Sequence, residues 1–329
     1  MTNSSRATLE HTIGSDGIMS IRLRDGEIRL HAIDGDAVRV RETSGQDLAE
    51  RFGIELGEGS LALTPINDRD RIGRRRGRAS LDIDLPHRAT VVIETVSGEV
   101  EADGLRGDQR YQTTSGDTVL RGVSGRVAIE AVSGDVNIVA TGTVDVALRT
   151  VSGDIELRAA TIEALSAVTT NGDISVAGGF RGAGPFAIET VTGDGRLAAA
   201  GDLRVEMTTL SGDLRSKTDS RIEGGRGHRS MVIGRGGPLL TFRSMSGDLA
   251  VEEPRPVTGS PRSEQPRPGP GAAIEADDDD ARVAILRALE RGEIDVAEAG
   301  RRMVALDAMA PVDPTSETSR VPTAESIDD

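Results

Sequence analysis

The sequence predicts a mainly β protein, a parallel β-solenoid (β-helix) with coils of about 19 residues, followed by a small C-terminal α-helical hairpin. Three observations lead to this fold class: a repeated tetrapeptide, apolar residues that alternate on both sides of it, and an unusual composition. Aromatic residues make up only 2% of the chain, whereas glycine occurs 40 times. Few rings and many glycines suit thin stacked layers better than the core of a compact enzyme.

The tetrapeptide is of the type x-Ser-Gly-Asp, and its glycines are spaced by 18, 18, 19, 19, 21, 19 and 35 residues. A propeller blade needs about 40 residues, so the shorter unit fits one solenoid coil. The last spacing is close to two periods, which predicts a copy near residue 230 that has lost its motif. The predicted structural turn residues are Gly98, Gly116, Gly134, Gly153, Gly172, Gly193, Gly212 and Gly247.

Apolar residues alternate with polar ones on each side of every motif. Around Gly134, for example, Val127 and Ile129 precede the turn and Val136 and Ile138 follow it. A period of two indicates strands with one buried face. Each repeat therefore holds a strand, the motif turn, a second strand and a second turn, the last marked by Gly107, Gly125 and Gly142.

The residue types within the motif have direct physical interpretations. A sharp corner between strands often needs a positive φ, which glycine adopts without penalty. Serine and aspartate side chains bond nearby backbone amides at turns. A threonine three residues before the glycine predicts an internal row of hydroxyl groups, made by Thr95, Thr113, Thr150, Thr169, Thr190 and Thr209.

The pattern divides the chain into five segments. The first is a weaker N-terminal version of the repeat with glycines spaced by 9, 9 and 10 residues, broken by a basic loop at Arg71–Arg78. The linker is rich in Pro, Arg, Gly and Asp, a composition typical of disorder. The predicted segments are an N-terminal β region (10–80), the solenoid (81–252), the linker (253–280), the hairpin (281–308) and a disordered tail (309–329).

The predicted hairpin has two amphipathic helices. Gly292 ends the first helix, and Asp295 with Glu298 begins the second as an N-cap and N3 pair. A unit this small rarely sustains a core alone, so it should dock on the solenoid end, a second copy or a partner protein. Its predicted interface residues are Val283, Leu286, Leu289, Val296, Met303 and Leu306.

Two resemblances follow from these motifs. The run LDIDLP at 81–86 and the run VVIETVSGEV at 91–100 resemble the bacterial putative-adhesin family of unknown function, built from VSGDV-type β-strand repeats. That resemblance covers roughly residues 10–252 and implies a β-solenoid, a surface or envelope scaffold role and no catalytic residues. The C-terminal segment resembles SHOCT-like helical hairpins, which implies oligomerisation or docking.

Charge and composition exclude several classes of function. A net charge of −15 argues against general nucleic-acid binding, which needs phosphate neutralisation. The chain has no cysteine, so disulfides, thiol nucleophiles and thiolate metal ligands are excluded. No apolar run is long enough for a membrane span and no secretory signal is visible, which predicts a cytoplasmic location by default with envelope association left open.

The acidic residues after the turn glycines are the most site-like feature, because stacked coils would place them in one row. Solvated turn capping is the favoured interpretation, and cation binding is the alternative, although the full calcium-binding nonapeptide is absent. The residues of this row are Glu99, Asp117, Asp135, Asp154, Asp173, Asp194, Asp213 and Asp248.

The sequence therefore predicts a non-enzymatic scaffold or interaction protein. Its expected partners are a protein or a second copy, bound through the hairpin, with no catalytic, cofactor or metal residue. The alternative is a surface adhesin or a cation-dependent binding protein. A more remote alternative is a polysaccharide-active β-helix enzyme, which would need two carboxylates at a sugar and aromatic platforms that the five aromatic residues hardly supply.

Overall fold

A computed structural model of the chain describes residues 8–66, 78–218, 220–225 and 227–253. These residues belong to one compact unit that is almost entirely β-structure, with a single four-residue helix, α1 (Leu48–Arg51), in this part of the chain. The mainly β, solenoid-like prediction is therefore confirmed. The predicted hairpin, the tail, almost all of the linker and residues 71–77 of the basic loop lie outside the described residues.

In the described residues, twenty strands form one hydrogen-bonded assembly. The first ten are β1 (Thr8–Thr12), β2 (Ile18–Ile33), β3 (Ala37–Glu42), β4 (Phe52–Gly57), β5 (Ser60–Pro65), β6 (Ala79–Pro86), β7 (Thr90–Asp103), β8 (Gln109–Ser115), β9 (Thr118–Ser133) and β10 (Val136–Arg149). The others are β11 (Ile155–Asn171), β12 (Ile174–Phe180), β13 (Phe186–Thr192), β14 (Gly195–Ala199), β15 (Leu203–Ser211), β16 (Leu214–Ser216), β17 (Ser220–Gly225), β18 (His228–Ile233), β19 (Leu239–Ser246) and β20 (Leu249–Glu252).

The middle of the molecule is a regular parallel stack. Strand β10 lies between β9 and β11, with Ile138 beside Leu120 on one side and Leu157 on the other. These three residues are fully buried, because every second side chain of a strand points into the coil. Pairing equivalent residues of successive coils thus builds one continuous interior row from each apolar position of the repeat.

A small polar network lies within this apolar interior. The Tyr111 hydroxyl donates to Gln109 Oε1 at 3.1 Å. Gln109 Nε2 in turn donates to the carbonyl oxygens of Gly107 and Ser124. Complete burial raises the pKa of Tyr111, because the phenolate would lose its hydration there.

The N-terminal end of the stack departs from a simple solenoid. Strand β2 is the first coil in the sequence, but it lies between two later ones: β7 pairs with one edge, and β5 and β6 pair with the other. The coil of β5 and β6 is therefore outermost. Strand β6 spans the boundary predicted at residue 80 and pairs with β2, so the strands on the two sides of that boundary belong to one stack.

The C-terminal end repeats this arrangement. Strands β19 and β20 form the last coil in the described chain, but they lie between β13–β14 and β15–β16. The predicted degenerate coil near residue 230 was wrong. Residues there form the antiparallel pair β17–β18, and β18 pairs antiparallel with β15. The long spacing between Gly212 and Gly247 thus contains β17 and β18, which lie outside the outermost coil, before the chain returns to the stack with β19.

Both ends are covered by antiparallel strands of the chain itself. Strands β4 and β3 pair with β5 and β6 at the N-terminal end, and β1 pairs with β3. In this way the chain adds strands of opposite direction beyond each outermost coil.

Candidate functional site

The motif glycines lie in one row along one edge of the stack, which we call the motif corner. Gly134, Gly153 and Gly172 occupy neighbouring layers. A Cβ on Gly153 would lie 2.1 Å from the Gly134 carbonyl oxygen, and one on Gly172 would lie 2.2 Å from that of Gly153. Both residues also have a positive φ, of 141° and 148°. Close approach of the neighbouring layer therefore requires glycine here, in addition to the turn conformation.

The row extends beyond the motifs that sequence reasoning identified. Gly26 lies beside Gly98, and Asp25-Gly26-Glu27 aligns with Ser97-Gly98-Glu99. A signal was present, because Ile21, Ile28 and Leu30 occupy the apolar positions that flank the other motifs. In spatial order the row is Ala79, Gly26, Gly98, Gly116, Gly134, Gly153, Gly172, Gly193, Gly247 and Gly212.

The alanine at the start of this row has a physical explanation. At each glycine from Gly26 onward, a Cβ would point toward a carbonyl of the neighbouring layer that lies nearer to the N-terminal end of the stack. Ala79 belongs to the outermost N-terminal coil of the described residues, and none of their other coils lies on that side of it. A methyl group is therefore tolerated there, and the row has a defined direction.

The aspartates form a second row beside the glycines, linked by hydrogen bonds between layers. From Asp135 onward, the backbone N–H of each aspartate donates to Oδ1 of the aspartate in the preceding layer, at 2.8–2.9 Å. Side-chain turn capping therefore occurs, but its target is the next coil and not the residue's own turn. The six bonds link Asp117, Asp135, Asp154, Asp173, Asp194, Asp248 and Asp213 in that order.

The balance of charge in this aspartate row favours a structural role. Carboxylates stacked at the strand spacing of about 4.8 Å repel each other by about 0.9 kcal/mol per neighbour in water. A hydrogen bond to a charged group contributes about 1.5–3 kcal/mol where it is not fully solvated. Arginines offset part of the repulsion at the C-terminal end, where Arg229 lies 2.9 Å from Asp213 Oδ1, the atom that a further layer would use.

A third row consists of the residues that precede the serines, and sequence reasoning missed it. Its apolar members point into solvent: Leu210 is 82% exposed, and the others are 40–55% exposed. Val132 and Val151 are direct neighbours, because Ser152 N–H donates to the Val132 carbonyl at 2.9 Å. We call this set the apolar row: Val96, Val132, Val151, Val191, Met245 and Leu210.

The predicted threonine row lies just inside the same corner and is buried. Thr113, Thr150 and Thr169 donate to the carbonyl oxygens two residues later, at 3.2–3.4 Å. Thr95, Thr190 and Thr209 have no hydrogen-bond partner among the described residues.

Each end of the motif corner carries an open groove. The N-terminal groove, about 460 Å³, is lined by Ser44, Arg78, Ser97 and Glu99 among others. The C-terminal groove, about 420 Å³, is lined by Leu210, Asp213, Arg229 and Asp248 among others.

The described residues contain no cluster of three or more His, Asp or Glu side chains arranged to hold a metal ion. Nor does any helix in the described part of the chain have the length and apolarity to cross a membrane. The predicted hairpin interface residues lie outside the described ranges.

Comparison with known proteins adds one family. The model of the family described as Toastrack DUF4097 matches residues 19–252. No curated protein matches the chain.

Solved structures from three organisms are similar to the chain at low identity. A putative adhesin from Bacteroides fragilis is 12% identical, with a TM-score of 0.42, 74% of this chain covered and 95% of that one. A putative lipid binding protein from Parabacteroides distasonis is 12% identical, with a TM-score of 0.36 and the same two coverages. A putative cell adhesion protein from Clostridium sporogenes is 9% identical, with a TM-score of 0.22, covering 75% of this chain and 98% of that one.

Proposed function

The chain belongs to the Toastrack DUF4097 family, and on that premise we propose that it is a non-enzymatic scaffold that binds a protein partner along the motif corner. The observation that carries the proposal is the apolar row. Its valines, methionine and leucine are exposed on a repeating, hydrogen-bonded frame. Thr114 and Thr170 interrupt the row, which leaves Val132–Val151 and Val191–Met245–Leu210 as its groups of adjacent apolar residues. Exposed apolar side chains grouped on neighbouring layers mark interaction sites in soluble proteins.

The frame around the apolar row supports a binding role. Stacked repeats give an extended surface whose side chains recur at fixed intervals. On the other side of the glycines lies the aspartate row, so a partner would meet apolar groups and carboxylates in parallel lines. A partner with apolar side chains beside basic ones fits this surface.

The same geometry supports the non-enzymatic part of the proposal. The Oδ1 atoms of Asp117, Asp135 and Asp154 each accept a backbone hydrogen bond, which fixes them as parts of the frame. General acid–base chemistry needs a carboxyl poised to exchange a proton with a substrate. No feature of the described residues favours the polysaccharide-active alternative.

A direct test compares two corners of the same coils. We expect the variant Val132→Asp/Val151→Asp to lose a protein that the wild-type chain recovers from native cell extract. The matched control is Thr141→Asp/Ala160→Asp, which adds the same charge at the second corner and should keep that protein. The proposal is wrong if both variants lose the protein equally, or if neither does.

The finer part of the proposal concerns the C-terminal hairpin, which we propose as a module for assembly or docking. Its support is the sequence alone, because apolar faces such as that of Val283, Leu286 and Leu289 need a partner surface. Light scattering on the full chain, a chain ending near residue 255 and Leu286→Asp/Met303→Asp tests self-association. Equal protomer numbers in all three would contradict it.

The second candidate function is cation-dependent binding or adhesion. One observation favours it: Asp117, Asp135 and Asp154 make no ion pair with any described residue, so their repulsion is not offset by arginine. Calorimetric titration with calcium separates the two functions. The scaffold proposal expects no saturable site tighter than about millimolar, and several tighter sites would favour the alternative.

A further inference from the structure

Strand β17 is an open edge at the C-terminal end of the stack. It pairs with β18 along one side, and no strand in the described ranges pairs with its other side. Five of its six residues are exposed, including Ile222 at 44%. Natural proteins usually protect such edges, because unpaired N–H and C=O groups invite pairing with another strand.

The hydrogen-bond pattern shows which backbone groups face outward. Thr209 N–H donates to the Gly227 carbonyl, so the odd-numbered residues of β18 bond to β15. Its even-numbered residues then bond to β17, where they pair with residues 221, 223 and 225. The backbone N–H and C=O of Ile222 therefore point toward the open edge.

The sequence of β17 is complementary to itself. If a second β17 runs antiparallel with Ile222 opposite Ile222, Arg221 of each copy lies opposite Glu223 of the other, on the same face. Neither Arg221 nor Glu223 forms an ion pair with any described residue. Two charge pairs and one apolar pair would thus form around a twofold axis, which is the usual symmetry of dimers.

We propose that β17 is a self-association edge: two copies of this chain pair antiparallel through β17, centred on Ile222. The occupant is a second copy because the charge pattern is satisfied by the strand's own reversed sequence. Gly224 and Gly225 end the strand, so the contact is short. It falls well below the area of about 1,200–2,000 Å² in stable interfaces, and the association is weak and concentration-dependent. This site uses none of the residues that form the rows of the motif corner.

A cysteine scan in the full chain tests the register, since the native sequence has no cysteine. A central hydrogen-bonded pair has its Cα atoms about 5.5 Å apart, within the range of a disulfide. Ile222→Cys should therefore form a disulfide-linked dimer under mild oxidation. The matched control is Glu223→Cys, whose two copies lie too far apart in this register. Equal yields from both variants would overturn the proposal, as would no dimer from Ile222→Cys.

Charge reversal then tests the pairing without relying on one cysteine position. In the Ile222→Cys background, Arg221→Glu should lower the dimer yield about tenfold, because it places like charges opposite at two symmetry-related sites. Adding Glu223→Arg restores opposite charges and should restore the yield. Melting temperature of each variant monitors folding. A dimer yield that does not fall with Arg221→Glu, or that stays low after Glu223→Arg is added, contradicts pairing through β17.

Discussion

The two ends of the stack share one topology but are closed differently. At each end the outermost coil is covered by antiparallel strands, and the first or last coil of the described chain lies one layer inside it. The N-terminal end is fastened by side chains as well. Arg41 contacts Asp82 at 2.6 Å and Asp84 at 2.8 Å, and buried Arg51 pairs with buried Glu42. The hydrogen bonds to Asp84 and Asp82 raise the pKa of Arg41.

The C-terminal end has no equivalent buried pair in the described residues. Its ion pairs, such as Arg229 with Asp213, are partly or largely exposed, and β17 extends with both faces toward solvent. The difference indicates a division of roles. The N-terminal end is closed by polar side chains that pack against its outermost coil. The C-terminal end keeps the edge of β17 available for association.

The largest expected difference between the ends comes from their ion pairs. Glu42 accepts hydrogen bonds from Ser44, the Gln46 amide and Arg51, so Glu42→Ala removes a buried carboxylate from three donors at once. We expect a loss of about 3–5 kcal/mol in the free energy of unfolding. The C-terminal counterpart Asp213→Ala should cost no more than about 1 kcal/mol. Chemical denaturation measures both, and equal losses would remove the distinction between the ends.

The glycine row offers a second comparison of the ends. A Cβ on Gly26 would lie 2.0 Å from the Ala79 carbonyl oxygen, and one on Gly212 would lie 2.0 Å from that of Gly247. Gly26 is held between two layers, whereas the coil of Gly212 is outermost and can shift outward. We expect Gly26→Ala to cost more than the backbone strain of about 1–3 kcal/mol, and Gly212→Ala to cost less than Gly26→Ala.

The control for this comparison is Gly35→Ala, at a position with a similar φ of +136° and no atom within 4 Å of the added Cβ. It should show the backbone strain alone. Thermal melting of all three variants measures the order, and a loss at Gly35 as large as at Gly26 would show that close approach between layers contributes little.

The aspartate row should give a smaller effect, because it lies at the surface. Asp154→Ala removes the acceptor for the Asp173 amide, but it also removes repulsion with two neighbouring carboxylates. We expect a net loss of about 1 kcal/mol, and less for Asp154→Asn, which keeps an acceptor oxygen. If Asp154→Ala stabilises the protein, repulsion outweighs the hydrogen bonds along the row.

Ionisation of Tyr111 should not affect stability at neutral pH, but it gives a signal for unfolding in alkali. Because Tyr111 is the only tyrosine, that signal comes from the N-terminal half of the stack alone. The pKa of Tyr111 is raised in the folded state, so its contribution to stability is complete below about pH 10 and is lost as the pH rises above that value. Tyrosinate absorbance should therefore appear only when the N-terminal half unfolds in alkali. A reversible titration near pH 10 with native circular dichroism would contradict the burial.

The repeat made the regular part of the stack predictable, because each coil pairs with the next one in sequence. Periodicity carries no information on pairing between distant segments, which is why the position of β2 beside β6 was missed. The spacing of 35 before Gly247 was ambiguous for the same reason. It fits a degenerate coil as well as an excursion that returns to the stack.

The site was predictable by residue type but not by partner. The glycines and aspartates of the motif were evident from recurrence, whereas the bond from Asp173 to Asp154 depends on how successive coils are aligned. The exposed valines were missed because an apolar residue recurring beside a turn gives no indication of which way it points. Only the geometry of the corner distinguishes Val132, which is exposed, from Val136, which is buried.

The interior position of the first and last coils limits how such a protein changes length during evolution. A new coil added at either terminus of the chain would meet a layer that already has both edges occupied. Duplication within the middle meets no such obstacle, because the segment from Gly134 to Gly153 begins and ends at equivalent points of the stack. Relatives of different length should therefore differ by whole coils inserted between Gly98 and Gly193, with both ends preserved.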